Sequence, residues 1–284
     1  MYIKAYAKIN IALNVLGKDD NGYHQLDMVN LPLELRDTIE ISVLPGSKDS
    51  FITCDDIEIE DTKYNLISVA IAKAREKYKF KQQFSIHVFK EIPISAGLAG
   101  GSSNAAAILN ALFELLKIKP SRQEVIELAK SIGADVPFCM FSVPSRVRGI
   151  GEIIEPINAK KVYQVLIVKP RNGLSTKNVF DQADTMELEN GNVENVIKAL
   201  ETGDDGLLSS SVHNALEKVS FLMLPEIKAI KEMMVVDGLK TVLMSGSGSS
   251  IIALENDAKK LIKLEKKYAK MGYDTRITRT LWRK

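Results

Sequence analysis

A chain of 284 residues, 45% hydrophobic and 26% charged, has the material for one large domain or two of ordinary size, with a buried core. Its 38 basic and 36 acidic residues are interspersed and leave a formal net charge of +2, which argues against a nucleic-acid partner. Two cysteines, Cys54 and Cys139, argue against a disulfide framework or a zinc site, and no apolar run reaches the roughly 18 residues of a membrane span.

The opening residues, Met1 to Lys8, lack the apolar core of a signal peptide, so a cytoplasmic protein is expected. From Ile3 to Leu16 the sequence alternates. Ala5, Ala7, Ile9, Ile11, Leu13 and Val15 fall on one face, and Tyr6, Lys8, Asn10, Ala12 and Asn14 on the other, the pattern of a strand with one apolar side. Gly17 to Gly22 reads as a turn. Strands are expected at Val29–Leu35, Thr38–Val43, Ser50–Cys54 and Phe84–Phe89, with a helix over Asn65–Tyr78. An apolar helix from about Ser102 to Leu116 follows the glycine-rich stretch Gly97–Gly101. Ser121-Arg122-Gln123-Glu124 is a capping box that opens another helix, and Gly133 closes it.

The β-prone run Val162–Val168 begins a second unit. Helices dominate from Thr176 to Met234, Val242–Leu254 holds a glycine-rich loop and a strand, and Thr275–Leu281 is a closing strand. Ala258–Met271 is a helix whose lysines (Lys259, Lys260, Lys263, Lys266, Lys267, Lys270) fit a solvated face. With no internal repeat, the chain reads as two α+β units, 1–155 and 156–284, joined between Glu152 and Lys161.

Four segments carry chemistry. Pro93-Ile94-Ser95-Ala96-Gly97-Leu98-Ala99-Gly100-Gly101-Ser102-Ser103-Asn104 places flexible backbone ahead of a helix, with the serines set to cap it. Unpaired N–H groups and the helix dipole there suit a polyphosphate. The segment is neither a Walker loop nor a dinucleotide fingerprint, and an unliganded N-cap remains the plain alternative. Lys8 sits mid-strand, where an ammonium is costly without an anion, although taken alone it better fits the exposed face of an edge strand. Asp135, after a helix end and before Val136-Pro137, fits a turn, and neither it nor Lys8 is specific alone. Asn21-Gly22-Tyr23-His24 offers a ring for stacking and a hydrogen-bonding imidazole. Ser245-Gly246-Ser247-Gly248 is a second glycine-serine loop, suited to a ligand or to a tight turn.

Together these segments resemble the GHMP kinase superfamily, and within it the members acting on a cytidine diphosphate-linked substrate. The match lies in Ala7-Lys8-Ile9-Asn10-Ile11, Gly22-Tyr23-His24, the Gly97–Ser103 loop, Gly133-Ala134-Asp135-Val136-Pro137, Gly149-Ile150-Gly151-Glu152 and Ser245-Gly246-Ser247-Gly248, in the family's order. The resemblance implies a two-domain α+β fold, N-terminal ribosomal protein S5 domain 2-like and C-terminal ferredoxin-like, with ATP and Mg2+ as co-substrate and ion. It implies Asp135 as general base toward a tertiary hydroxyl of a methylerythritol group. Lys8 would keep Asp135 ionised and stabilise the moving phosphoryl group. Pro93, Ala96, Gly97, Leu98, Ala99, Gly100, Gly101, Ser102, Ser103 and Asn104 would hold ATP, with Asn65 and Lys90 on its adenosine side. Asn10, Tyr23, His24, Asp135, Thr176, Phe180, Ser245, Gly246, Ser247 and Gly248 would hold the substrate, Tyr23, His24 and Phe180 gripping the cytosine. No metal site made of protein ligands is implied, and a monomer or weak homodimer is expected.

The sequence departs from the family at three places. Asp19-Asp20 replaces an Arg-bearing turn, Phe141–Arg148 lacks a Gly-Gly-Thr pattern, and Ala99 replaces a glycine, which is tolerated if its φ is negative. The alternatives are a mevalonate or homoserine kinase, which Tyr23, His24 and Phe180 disfavour, and a non-catalytic nucleotide-binding sensor, which the presence of Lys8 and Asp135 disfavours.

Overall fold

In the computed structural model, which describes residues 1–20, 22–46, 49–55 and 65–281, the alternating opening segment is strand β1 (Tyr2–Lys18). It continues through Lys18, and the turn starts only at Asp19. The two strands expected next are one continuous strand, β2 (His24–Leu44). Arg36-Asp37 looks like a break because Asp is depleted in strands. Here Asp37 is wholly buried and accepts hydrogen bonds from Glu91 N and Ile92 N, both at 2.8 Å, so the strand carries it through.

The chain forms two units from interleaved segments. One takes Met1–Ala7, Leu35–Ile92 and Ala99–Ser142, and the other takes Lys8–Glu34, Pro93–Leu98 and everything from Val143. In the first, β3 (Phe51–Cys54) runs parallel to β4 (Gln83–Phe89). The second half of β2 pairs antiparallel with β4, Thr38 opposite Phe89 and Leu44 opposite Gln83. Helices α1 (Leu66–Tyr78), α2 (Gly100–Leu115), α3 (Arg122–Ile132) and α4 (Val136–Phe141) pack on one another. α2 buries Ile108, Leu109 and Leu112, each worth about 1.5–3 kcal/mol of transfer from water. The capping box at Ser121 and Glu124 forms in both directions.

In the second unit, the first half of β2 pairs antiparallel with β5 (Ser145–Gly149), which turns back into β6 (Ile153–Pro156). β7 (Gln164–Lys169) is followed by α5 (Thr176–Ala183), α6 (Val193–Thr202) and α7 (Asp205–Ser211). The short β8 (His213–Asn214) then lies parallel to β1, His213 opposite Ala12. After α8 (Glu217–Met223) and α9 (Pro225–Val236) come β9 (Thr241–Met244), β10 (Ile251–Glu255), α10 (Ala258–Lys270) and β11 (Asp274–Arg279). These strands form an antiparallel sheet in the order β11-β7-β10-β9, with α9 and α10 packed on it. One long crossover, a hairpin and a helical return in that order make the ferredoxin-like arrangement. α10 buries Leu261, Leu264 and Tyr268 and turns most of its lysines outward, as their spacing predicts. Among the described residues, no helix is long and apolar enough to cross a membrane.

Candidate active site

β1 pairs with β2 on one side; on the other, β8 pairs only at Ala12 and Leu13, and beside Lys8 that side is covered by a loop, Lys8 N donating to Leu98 O at 3.1 Å. Its polar row is buried like its apolar row: Lys8 is 4% exposed and Asn10 1%. Buried polar atoms need partners, and here they form a chain. Lys8 Nζ donates to Asn10 Oδ1 at 2.8 Å, and Asn10 Nδ2 donates to Asn30 Oδ1 at 2.7 Å. Asn30, itself fully buried on β2, leaves Nδ2 without a hydrogen-bond partner. Sequence reasoning did not single it out, although a lone amide inside Met28-Val29-Asn30-Leu31 is a visible anomaly for a strand with apolar neighbours on both sides.

The two glycine loops meet beside this row. Gly97 has φ +72°, and a Cβ on it would lie 2.0 Å from the Ser245 carbonyl oxygen. Gly246, at φ +58°, would put a Cβ 3.2 Å from the Gly97 oxygen and 3.4 Å from Asn10 Oδ1. Only glycine permits this approach of backbone to backbone. Ser245 Oγ donates to Gly97 O at 3.0 Å, and Lys8 N donates to Leu98 O at 3.1 Å, so the Pro93–Leu98 segment is tied to both β1 and the second loop. Ala96 and Leu98 turn their side chains into the core, which leaves backbone as what this stretch can offer a ligand.

The second loop is itself anchored. Ser247 Oγ is 2.9 Å from Thr176 Oγ1, Ser249 Oγ donates to Asn172 O, and Asn214 Nδ2 donates to the carbonyls of Met244 and Gly246, both at 2.8 Å. The hydroxyls of Ser245, Ser247 and Ser249 are buried and bonded to protein, a stronger commitment than a tight turn needs.

Helix α2 begins differently from the serine-capped helix that the sequence suggests. The N-cap is Ala99, with φ +58° and no side-chain cap, while Ser103 Oγ inside the helix bonds the Tyr6 carbonyl. The condition set for Ala99 therefore fails: it sits in the left-handed region, a strain of about 1–2 kcal/mol for a residue with a Cβ. Lys90 Nζ lies beside the start of α2, 3.3 Å from where a Cβ on Gly100 would be. Lys90 itself is buried. It donates to Asp37 Oδ1 at 3.2 Å, lies 3.0 Å from Oδ2 as an ion pair, and also bonds the Ile92 carbonyl.

Asn65 caps α1 by accepting from Ile67 N at 2.9 Å, and Gly101 faces Leu66 of the same helix start. Ser102 is half-buried on the first turn of α2. Asn104 is buried in the next turn and leaves Oδ1 without a partner. An amide oxygen is a hard donor of the kind magnesium takes alongside water and phosphate oxygens, so these residues fit a nucleotide-borne ion.

Asp135 precedes α4, which the sequence reading did not foresee. Its side chain does not cap that helix. Its half-exposed carboxylate therefore stands at the positive end of α4 without serving as its cap.

At the far end of β1, Asp19 shapes the turn: its Oδ1 accepts from Tyr23 N at 2.9 Å and its carbonyl accepts from Gly22 N at 2.9 Å. Asp19 belongs to the Asp19-Asp20 pair that stands in place of an Arg-bearing turn. Asn21 lies outside the described residues. Tyr23 is 61% exposed, whereas the rings of His24 and Phe180 are in contact, with centroids 4.6 Å apart and planes at 35°. Asp184, unmarked by any sequence motif, lies 2.8 Å from His24 Nε2 and 2.5 Å from Lys18 Nζ. The two arginines of the departing segment are ion-paired. Arg146 grips Asp27 with two hydrogen bonds at 2.9 and 2.8 Å and reaches Glu194, while Arg148 pairs with Glu155.

Family models describing the GHMP kinases N terminal domain and the GHMP kinases C terminal match residues 65–143 and 196–274. The chain is 36% identical to a 4-diphosphocytidyl-2-C-methyl-D-erythritol kinase of Clostridium novyi, over 99% of this chain and 100% of that one. It is 38% identical to one of Geobacillus thermodenitrificans, over 90% and 89%. A crystal structure of 4-(cytidine 5'-diphospho)-2C-methyl-D-erythritol kinase superposes with a TM-score of 0.80 at 27% identity, covering 99% of this chain and 100% of that chain.

Proposed function

The chain belongs to the GHMP kinases, and we propose that it transfers the γ-phosphoryl group of ATP to the 2-hydroxyl of 4-diphosphocytidyl-2-C-methyl-D-erythritol, giving the 2-phosphate and ADP on the way to isoprenoid precursors. The observation that carries the reading is the buried row Lys8-Asn10-Asn30, an ammonium and two amides inside a strand pair where apolar side chains would be more stable. A fold keeps such a row where a polar, charged substrate group must be held in place.

Asp135 accepts the hydroxyl proton as the oxygen attacks phosphorus, and the bond to the β-phosphate oxygen breaks with its electron pair leaving on ADP. Lys8 stabilises charge on the attacking oxygen and the transferring group, while Asn10 orients the methylerythritol part. Backbone N–H groups of the Gly97–Ser102 segment and the dipole of α2 hold the triphosphate, while the Ser103 N–H is spent on Ala99 O at 2.8 Å. Asn104 Oδ1 would hold the magnesium ion that accompanies the nucleotide and neutralises phosphate charge when bound. His24 and Phe180 supply the base site, which mevalonate and homoserine have no group to fill.

The test is a coupled ADP-release assay with the cytidylyl substrate, mevalonate and homoserine. Turnover of the first alone is expected, and turnover of either other substrate in its place overturns the specificity. Asp135→Asn should keep ATP binding and lose roughly 100- to 10,000-fold in kcat. Near-normal kcat in that variant removes Asp135 from the base role.

A further inference from the structure

His24, Phe180, Asp184 and Lys18 form a group whose logic goes beyond stacking. Phe180 and Asp184 are four residues apart on α5 and its C-cap, and Asp184 keeps helical backbone angles, φ −62° and ψ −19°. Residues at that spacing share one face of a helix. Here that face presents the phenyl ring to the plane of the His24 imidazole and the carboxylate to its edge, at 4.6 Å between centroids and 2.8 Å to Nε2. Two contacts from one helix fix both the tilt and the rotation of the imidazole.

An acid at this position is a poor choice for the helix alone. The C-terminal end of α5 carries the negative end of the dipole and has no basic residue in its last turn. Lys18, from the end of β1, compensates by holding Asp184 Oδ2 at 2.5 Å and leaves Oδ1 to His24. Hydrogen bonds from Lys18, and then from His24, keep the Asp184 carboxyl below the usual carboxylate range. A half-exposed Lys–Asp pair contributes little stability by itself, so a local rule is broken here without a gain in folding to match.

The chemistry of the pair is one-directional. An ionised carboxylate only accepts, so the proton between Asp184 and His24 belongs to Nε2. A neutral imidazole has one N–H, and with it on Nε2 the other nitrogen, Nδ1, presents a lone pair. Cytosine carries an amino donor at its 4-position, where uracil carries an oxygen acceptor. A lone pair facing that position accepts from the first and repels the second.

We propose that Asp184 is a positioning residue for base selection: it fixes His24 in the Nε2–H tautomer, aims the Nδ1 lone pair at the exocyclic amino group of cytosine, and so makes the site select cytidine-linked over uridine-linked substrates. This rests on the reading that a cytidylyl substrate occupies the His24–Phe180 site.

The test has two independent arms. Nitrogen-15 NMR of the histidine side chains in the unmodified protein should show His24 with protonated Nε2 and lone-pair Nδ1. The opposite tautomer, or an even mixture, overturns the proposal whatever any variant does. In the kinase assay, Asp184→Ala should lower the ratio of kcat/KM for the cytidylyl over the uridylyl substrate by roughly ten- to a hundredfold. The loss should fall in KM for the cytidylyl substrate, with KM for ATP unchanged, and Asp184→Glu should restore part of the ratio. An unchanged ratio in a folded Asp184→Ala protein shows that the ion pair is merely structural and overturns the proposal. If the unmodified enzyme does not phosphorylate the cytidylyl substrate at all, the functional reading fails, and the tautomer still decides whether Asp184 orients His24.

Discussion

Gly97→Ala should be among the most damaging single-atom-group additions to this chain, and its cost can be worked out. The added Cβ would lie 2.0 Å from Ser245 O and 3.0 Å from Gly248 O, both backbone atoms that no rotamer change can move aside. Relief needs a displacement of about 1 Å, and Ser245 is anchored by its N–H to Ser250 O at 3.0 Å as well as by its side chain to Gly97 O. The left-handed φ of +72° costs an alanine about 1–2 kcal/mol, and losing the Ser245–Gly97 hydrogen bond costs about 1 kcal/mol more. A less flexible unfolded chain gives back about 0.4–1 kcal/mol, leaving a net loss of about 2 kcal/mol. Urea denaturation reads this as a lower midpoint at unchanged slope. Because the shift moves backbone in the proposed triphosphate segment, kcat should also fall by about 100-fold. Gly101→Ala is the control: its Cβ would meet only Leu66 Cδ1 at 3.6 Å, and stability should hold or rise by up to about 1 kcal/mol. A Gly97→Ala protein within about 0.5 kcal/mol of the parent and with normal kcat would falsify the close-packed-loop account.

Two further outcomes follow from buried and half-buried charges. Asp37→Ala strands the buried Lys90 ammonium and two backbone N–H groups, so a loss of about 3–5 kcal/mol is expected by chemical denaturation, and a loss under about 1 kcal/mol contradicts the structural role of the pair. At Asp237, burial opposes ionisation, but hydrogen bonds from Lys267 and Tyr268 outweigh it and hold the carboxyl below its ordinary value. The folded pKa is depressed, so this contribution is present above the unfolded value, about 3.9, and is lost as pH falls through the folded one. Stability measured from pH 6 downward should fall less steeply below about pH 4 in a Lys267→Met, Tyr268→Phe double variant, and an identical acid limb would remove Asp237 from the account.

Local patterns were legible wherever a single segment decides the outcome. The capping box at Ser121 and Glu124, the closing Gly133, the lysine face of α10 and the strand periodicity of β1 all formed as their spacing implies. Partners distant in the chain were not legible. Alternation in β1 says that Lys8 and Asn10 share a face, but whether that face meets water depends on Asn30 and Ser245, 20 and 235 residues from Asn10 in the chain. Asp37 looks like a strand break until its partners near Ile92 are known. Ser102 and Ser103 look like caps because local propensity favours that reading, yet Ser103 spends its hydroxyl on the carbonyl of Tyr6.

The exceptions to local rules have a common cause. Lys8 buried on β1, Ala99 in the left-handed region, and a carboxylate at the negative end of α5 each carry a local cost in stability. A core chosen for stability alone would place apolar residues in β1, glycine at the α2 N-cap and a basic residue after α5. On the proposed function, each departure instead aims a particular atom, an ammonium, a row of backbone N–H groups or an imidazole edge, at a phosphorylated nucleotide-linked substrate. Relieving one should therefore trade stability against catalysis: Ala99→Gly should stabilise the fold by roughly 1 kcal/mol, while altering how stiffly the start of α2 is held.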